Sequence, residues 1–153
     1  MISQTELAGY LGKHISAICT SGFVSNADNH CAHFVSHAMG YRFGATCAMM
    51  GNAKGTPASI RVQELFAHCL RVGKWADLPP TNFVALAFIT NPANVSIASR
   101  TMHNVPRKHV GIYCGGAIWH YSNTQHKVVR QTPAEFSLHY PAPNNAMFWG
   151  SVT

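Results

Sequence analysis

Apolar positions along the chain repeat with two different periods, and the change from one to the other falls near residue 80. The first part has helical spacing. Leu7, Tyr10, Leu11, Ile15 and Ile18 predict an amphipathic helix over residues 4–19 that ends before the Thr20-Ser21-Gly22 turn. Phe34, Val35, Ala38 and Met39 predict a second helix over about 30–39, led in by the capping types Asn26, Asp28 and Asn29 and stopped by Gly40. Residues 41–55, punctuated by Gly44, Gly51 and Gly55, read as a loop. With Thr56 as cap and Pro57 in the first helical position, a third helix follows, and Ile60, Val62, Leu65, Phe66, Cys69 and Leu70 form its buried stripe until Gly73.

Leu78-Pro79-Pro80 breaks the chain, and the strand-like runs come after it: Phe83–Thr90, Val95–Ser99, His109–Cys114, Ala117–Ser122, Lys127–Gln131 and Ala146–Val152. Gly115-Gly116 is a hairpin signal, and Thr132-Pro133-Ala134-Glu135 starts a short helical turn. Helices first and antiparallel strands afterwards predict an α+β fold, and the length suits a single domain spanning 1–153.

Composition narrows the partners. Only 10% of the residues are charged, so the surface is largely neutral and polar, while the net charge of +6 points to an anionic partner such as a cell-wall polymer, nucleic acid or anionic lipid. Arg107 and Lys108 are the only adjacent basic residues, and Trp119 and Trp149 are too few to interleave with them as a stacking surface, so no nucleic-acid partner is expected. No apolar run has the length of a membrane span, and the N-terminus lacks the basic start and apolar stretch of an export signal. The expectation is synthesis in the cytoplasm with no membrane partner. Five cysteines, with no C-x-x-C pair, signal neither a disulfide framework nor a thiolate zinc site.

The reactive chemistry concentrates at Cys31. In the first turn of a helix its thiol meets unpaired N–H groups and the positive end of the helix dipole, which favour the thiolate. A nucleophile needs a base, and His109 opens a strand whose hairpin partner carries His120 near the same end, so pairing makes the two histidines neighbours. His109 would take the thiol proton and His120 would fix its tautomer, with His126 as the orienting residue if the register differs. The Cys31 backbone N–H is the expected first donor to the oxyanion. His30 abuts the nucleophile as a cleft-lining residue, and Arg107 and Lys108 flank the base as contacts for a substrate carboxylate. His33 and His37 stand four apart on the same helix, a spacing zinc sites use, but Phe34 replaces the glutamate of H-E-x-x-H and no third ligand is evident, so no metal or cofactor is expected. His103, His126 and His139 read as solvated.

A cysteine at a helix start, then His109-Val110-Gly111-Ile112-Tyr113, a glycine turn and a second histidine in the returning strand resemble the NlpC/P60 group of papain-like cysteine peptidases, related to the CHAP amidases, over residues 26–132. Where that group typically has D-C-S-G-[FL]-V, this chain has His30-Cys31-Ala32-His33-Phe34-Val35. The resemblance implies the papain-like NlpC/P60 fold and cleavage of amide bonds in peptidoglycan stem peptides by Cys31, His109 and His120. A delivered antibacterial effector, for which a specific immunity protein would be the inhibitor, or a phage lysis enzyme would suit it, acting in the periplasm or cell wall. Two other readings compete: a thiol acyltransferase of the circularly permuted group, which would need its nucleophile after the H-x-G-I-Y segment where only Cys114 stands, and a basic, non-enzymatic binding module for cell wall or nucleic acid.

Overall fold

The computed structural model describes residues 1–81, 83–141 and 143–152. It is an α+β structure in which a six-stranded antiparallel sheet carries the helices that precede it in sequence. Five short helices, α1 (Gln4–Ala8), α2 (Cys31–Met39), α3 (Cys47–Met50), α4 (Val62–His68) and α5 (Pro133–Phe136), accompany strands β1 (Val72–Lys74), β2 (Val84–Thr90), β3 (Val95–Ser96), β4 (Thr101–Met102), β5 (His109–Cys114), β6 (Ala117–Ser122), β7 (Lys127–Gln131) and β8 (Ala146–Gly150). The main sheet runs β1-β8-β2-β5-β6-β7, and β3 and β4 form a small separate ribbon.

The predicted first helix is cut short. A capping box closes its start, with Ser3 Oγ accepting the Glu6 N–H at 3.2 Å and a Glu6 carboxylate oxygen accepting the Ser3 N–H at 2.8 Å. Beyond Ala8, the Gly12 N–H donates to the Val128 carbonyl at 2.9 Å and the Val128 N–H to the Lys13 carbonyl at 3.0 Å. These backbone bonds to β7 replace the next helical turn, and only a 3-10 turn at Ile15–Ala17 remains of the second half.

The third predicted helix starts later than Pro57 for the same kind of reason. The Ser59 N–H donates to the Tyr41 carbonyl and the Ile60 N–H to the Ala45 carbonyl, both at 3.0 Å, so this segment is held extended until Val62. Past His68 the chain turns extended again and β1, which hydrophobic periodicity did not reveal, pairs with β8. The loop predicted over 41–55 contains α3, and the strand predicted at Val95–Ser99 is two residues long, paired with the unpredicted β4. The short helix after Thr132 forms as expected, with its own Thr132–Glu135 capping box.

Helix α2 forms where it was predicted and ends at Gly40, whose φ of 76° supplies the left-handed cap. Its Cys31, Phe34 and Val35 are fully buried and share one core with Val110, Ile112 and Trp119 of the sheet. On the opposite face Ala87, Ile89 and Ile118 pack around Phe136 of α5. Strand β2 is buried at every position because both faces of the sheet are covered there. The Gly115-Gly116 hairpin has φ of 58° and 87°, the paired left-handed conformation of a tight two-residue turn.

Candidate active site

Strand pairing places the histidines. The register of β5 on β6 sets Ile112 opposite Trp119, which puts Gly111 beside His120 and leaves His109 one step further along the same face. A Cβ at Gly111 would come within 2.7 Å of Ile118 Cγ2 and 3.0 Å of His120 Cβ, so only glycine lets the His109 and His120 rings lean together across it. Gly111→Ala is therefore expected to displace His120 and cost about 1–3 kcal/mol of stability, measured by denaturant unfolding. An unchanged midpoint would mean that the neighbouring side chains repack freely.

His109 Nε2 and His120 Nδ1 are 2.8 Å apart, and His120 Nε2 lies 2.6 Å from Gln131 Oε1. The carbonyl oxygen of Gln131 can only accept, so His120 donates from Nε2 and accepts at Nδ1. His109 then donates from Nε2, and its Nδ1 carries a bare lone pair. That Nδ1 is buried and has no hydrogen-bond partner. The His139 ring stacks on His109 at 3.8 Å, and Phe136 closes the side of both rings. Burial, with the neighbouring His120 and His139, holds the His109 imidazole well below the ordinary histidine range. Burial likewise pushes His120 down to about 4, against the opposing Gln131 hydrogen bond. Both rings are neutral at physiological pH.

The three histidines could bring ligand atoms within 4.8 Å of one another. The His109–His120 contact nevertheless spends its lone pair on a hydrogen bond, which is the arrangement of a proton relay.

Cys31 is the first residue of α2 and has no exposed surface. Its sulfur is reached by the Val110 backbone N–H, and the Lys108 ammonium is close enough to favour the thiolate. Burial outweighs both and raises the thiol to about 11, which corrects the expectation of a thiolate made ready by the helix terminus alone. Among the described residues no hydrogen bond joins Cys31 to His109. The thiol belongs to the core on the α2 face, while the His109 ring packs against α5 on the other, and the Val110 backbone N–H, next in sequence to His109, is what joins the sulfur to β5.

The Cys31 N–H is already taken. Asn29 Oδ1 accepts it at 3.0 Å and is itself held by Asn123 Nδ2 at 3.1 Å, while Asn123 Oδ1 accepts the His30 N–H at 3.0 Å. The oxyanion donor expected from sequence is therefore free only when the Asn29 carboxamide oxygen is displaced, as an incoming carbonyl oxygen would do. Asn29 caps the helix from one position before the residue at its N-cap, His30.

His30 does not line a cleft. It is buried with both ring nitrogens engaged, Nε2 at 2.7 Å from the Ser25 carbonyl and Nδ1 at 3.1 Å from His33 Nδ1. Of the basic pair, Lys108 is half-buried beside Cys31, with its ammonium donating to the Val105 carbonyl at 2.6 Å, and Arg107 is exposed near Tyr140. Arg107 has φ 61° in the turn before β5, and its carbonyl accepts the Thr90 hydroxyl at 3.0 Å. His126 lies in the β6–β7 turn, and the ring that meets His109 is that of His120.

A polar cleft of about 650 Å³ opens over the relay, lined by Asn29, His120, Gln131, Glu135, His139 and Tyr140 among others. A smaller recess lies on the other side of Asn29, lined by Arg61, Gln63, Asn104 and Lys108. Gln131, His139 and Arg61 escaped the sequence reading because each is joined to the site by tertiary contact, whereas Asn29 was read there as a helix-capping type and caps locally, two residues from its partner. Of these three, only Gln131 carried a signal, as a polar residue ending the strand next to His120. No protein-family model matches the chain, and neither the curated proteins nor the solved structures contain a match to it.

Proposed function

We propose that the protein is a papain-like cysteine hydrolase that cleaves amide bonds of peptidoglycan stem peptides. One observation carries the reading: a buried histidine, His109, whose Nε2 is held by His120 and whose Nδ1 lone pair is unpartnered, at the end of β5 where a helix-terminal cysteine lies against Val110.

In this reading His109 Nδ1 takes the Cys31 proton as the sulfur attacks the amide carbon. The His109 imidazolium is stabilised through His120, backed by Gln131, and returns the proton to the leaving amine. Water then hydrolyses the thioester. Because the resting thiol is neutral, proton transfer accompanies attack and the pair need not be ionised beforehand. The substrate carbonyl displaces the Asn29 oxygen from the Cys31 N–H and so places itself at the sulfur.

The substrate class rests on charge. Stem peptides carry free carboxylates, and Lys108 and Arg61 share the recess beside Asn29. The excess of 11 basic over 5 acidic residues would draw such a polymer at long range. Delivery into the wall space of another cell, with an immunity protein as inhibitor, is compatible with this activity.

Digestion of purified sacculi tests the reading directly, with released fragments identified by mass spectrometry. The protein is expected to release defined stem-peptide fragments and Cys31→Ala none. Equal release by both would exclude the nucleophile, and release by neither would favour a binding role for the basic surface.

A further inference from the structure

The strongest unexplained cluster lies on the opposite side of α2 from the sheet. Cys19, just after the 3-10 turn at Ile15–Ala17, His33 and His37 on α2, and Cys47 at the start of α3 direct one ligand atom each into a space where all four lie within 4.8 Å of one another. Cys19 Sγ and Cys47 Sγ are 3.8 Å apart, and Cys47 Sγ is 3.9 Å from His37 Nε2. A tetrahedron with zinc–sulfur bonds of about 2.3 Å has a sulfur–sulfur edge of about 3.8 Å. The two thiols are free, so the contact is no disulfide.

The hydrogen bonds around the cluster set the protons as a metal requires. His30 Nε2 faces the Ser25 carbonyl, which only accepts, so His30 donates there and its Nδ1 is an acceptor. His33 Nδ1, 3.1 Å away, must then donate to it. This leaves His33 Nε2 as an unprotonated lone pair, in a residue with no exposed surface, and it has no hydrogen-bond partner. Both sulfurs accept backbone N–H groups, Cys19 from Ser21 at 3.4 Å and Cys47 from Ala58 at 3.3 Å, the contacts that support a thiolate ligand.

We infer that Cys19, His33, His37 and Cys47 form a structural zinc site. Four protein ligands of two sulfurs and two nitrogens suit zinc and leave no position open for substrate. Binding releases the two thiol protons to solvent and yields a neutral Cys₂His₂ centre. The ion would tie α2 to the N-terminal segment and to the loop before α4, fixing the helix that begins with Cys31. The reading as a hydrolase is not needed for this assignment, which stands on ligand geometry alone.

The test is metal analysis of the untagged protein by mass spectrometry, with X-ray absorption at the zinc edge. One zinc per chain with two sulfur and two nitrogen neighbours is expected, and chelation is expected to lower the melting temperature by more than about 10 °C. Cys47→Ser should lose the ion, whereas Cys114→Ser and Cys31→Ala should keep it. If Cys47→Ser does not fold, the cobalt-substituted wild type decides, since two thiolates in a tetrahedral field give intense charge-transfer and ligand-field bands. Absence of zinc after reconstitution, or an ion with only nitrogen and oxygen neighbours, would overturn the site.

Discussion

His109→Ala is expected to reduce stem-peptide cleavage by at least about 10⁴-fold while leaving substrate affinity nearly unchanged, because in the proposed mechanism the removed group acts on the proton in flight rather than on the bound substrate. Graded effects should follow along the relay. His120→Leu removes the acceptor that fixes His109 with its proton on Nε2, and a loss on the order of 10²–10⁴-fold is expected from the comparable effect of a wrong tautomer in serine triads. His120→Asn restores an acceptor oxygen and should recover part of that loss, which a purely structural role would not predict. Gln131→Ala should cost least, since it reaches the base only through His120. An equal loss for all three positions, with matching losses of stability, would show that the relay serves folding alone. The acidic limb of kcat/KM should lie below pH 6.5, because burial keeps His109 neutral, and able to accept a proton, to lower pH than an exposed histidine.

Acid is expected to destabilise the protein from about pH 6.5 downward, before its carboxylates begin to titrate. His120 is 2% exposed, and its burial lowers the folded-state value to about 4 from an ordinary 6.5. As pH falls below 6.5 the unfolded chain binds the proton and the folded chain does not. The stability associated with neutral His120 is therefore complete above about 6.5 and is lost progressively toward pH 4. The gap of 2.5 pH units between 6.5 and about 4 corresponds to about 3 kcal/mol. His109 is lowered in the same direction by the same cause and adds to the effect. Against a typical stability of about 5–15 kcal/mol these losses are large. Calorimetry between pH 7 and pH 4 should show the melting temperature falling by roughly 6–12 °C from His120 alone. His120→Asn should flatten that slope, and a wild-type midpoint independent of pH would show that the histidines take up protons in the fold as readily as in the unfolded chain.

The helix that begins with Cys31 and ends at Gly40, the β5–β6 hairpin with its glycine turn, and the meeting of His109 with His120 were all legible in the sequence. Each depends on residues close together in the chain: a helical stripe closed by a left-handed glycine, and two strands joined by a turn that fixes their register. Two other outcomes depended on contacts between distant segments. Backbone bonds from Gly12 and Lys13 to Val128 shortened the first helix, and bonds from Ser59 and Ile60 to the segment 41–45 delayed α4. Periodicity reports which face of a segment is apolar and is silent on which distant backbone will claim its N–H groups.

The chemistry divides along the same line. Sequence determined which residues could react, because cysteine and histidine types and their local spacing are written in the chain. Tertiary structure decided their states. Burial at the α2–sheet junction raised the Cys31 thiol to about 11 against the helix dipole, and Asn29 and Asn123 closed its N–H. The fold also brought Cys19 and Cys47, 28 positions apart and without a recognisable spacing, to within 3.8 Å of each other beside His33 and His37. Charge state and ligand geometry depend on desolvation and on the positions of donors across space, and these exist only once the chain has folded.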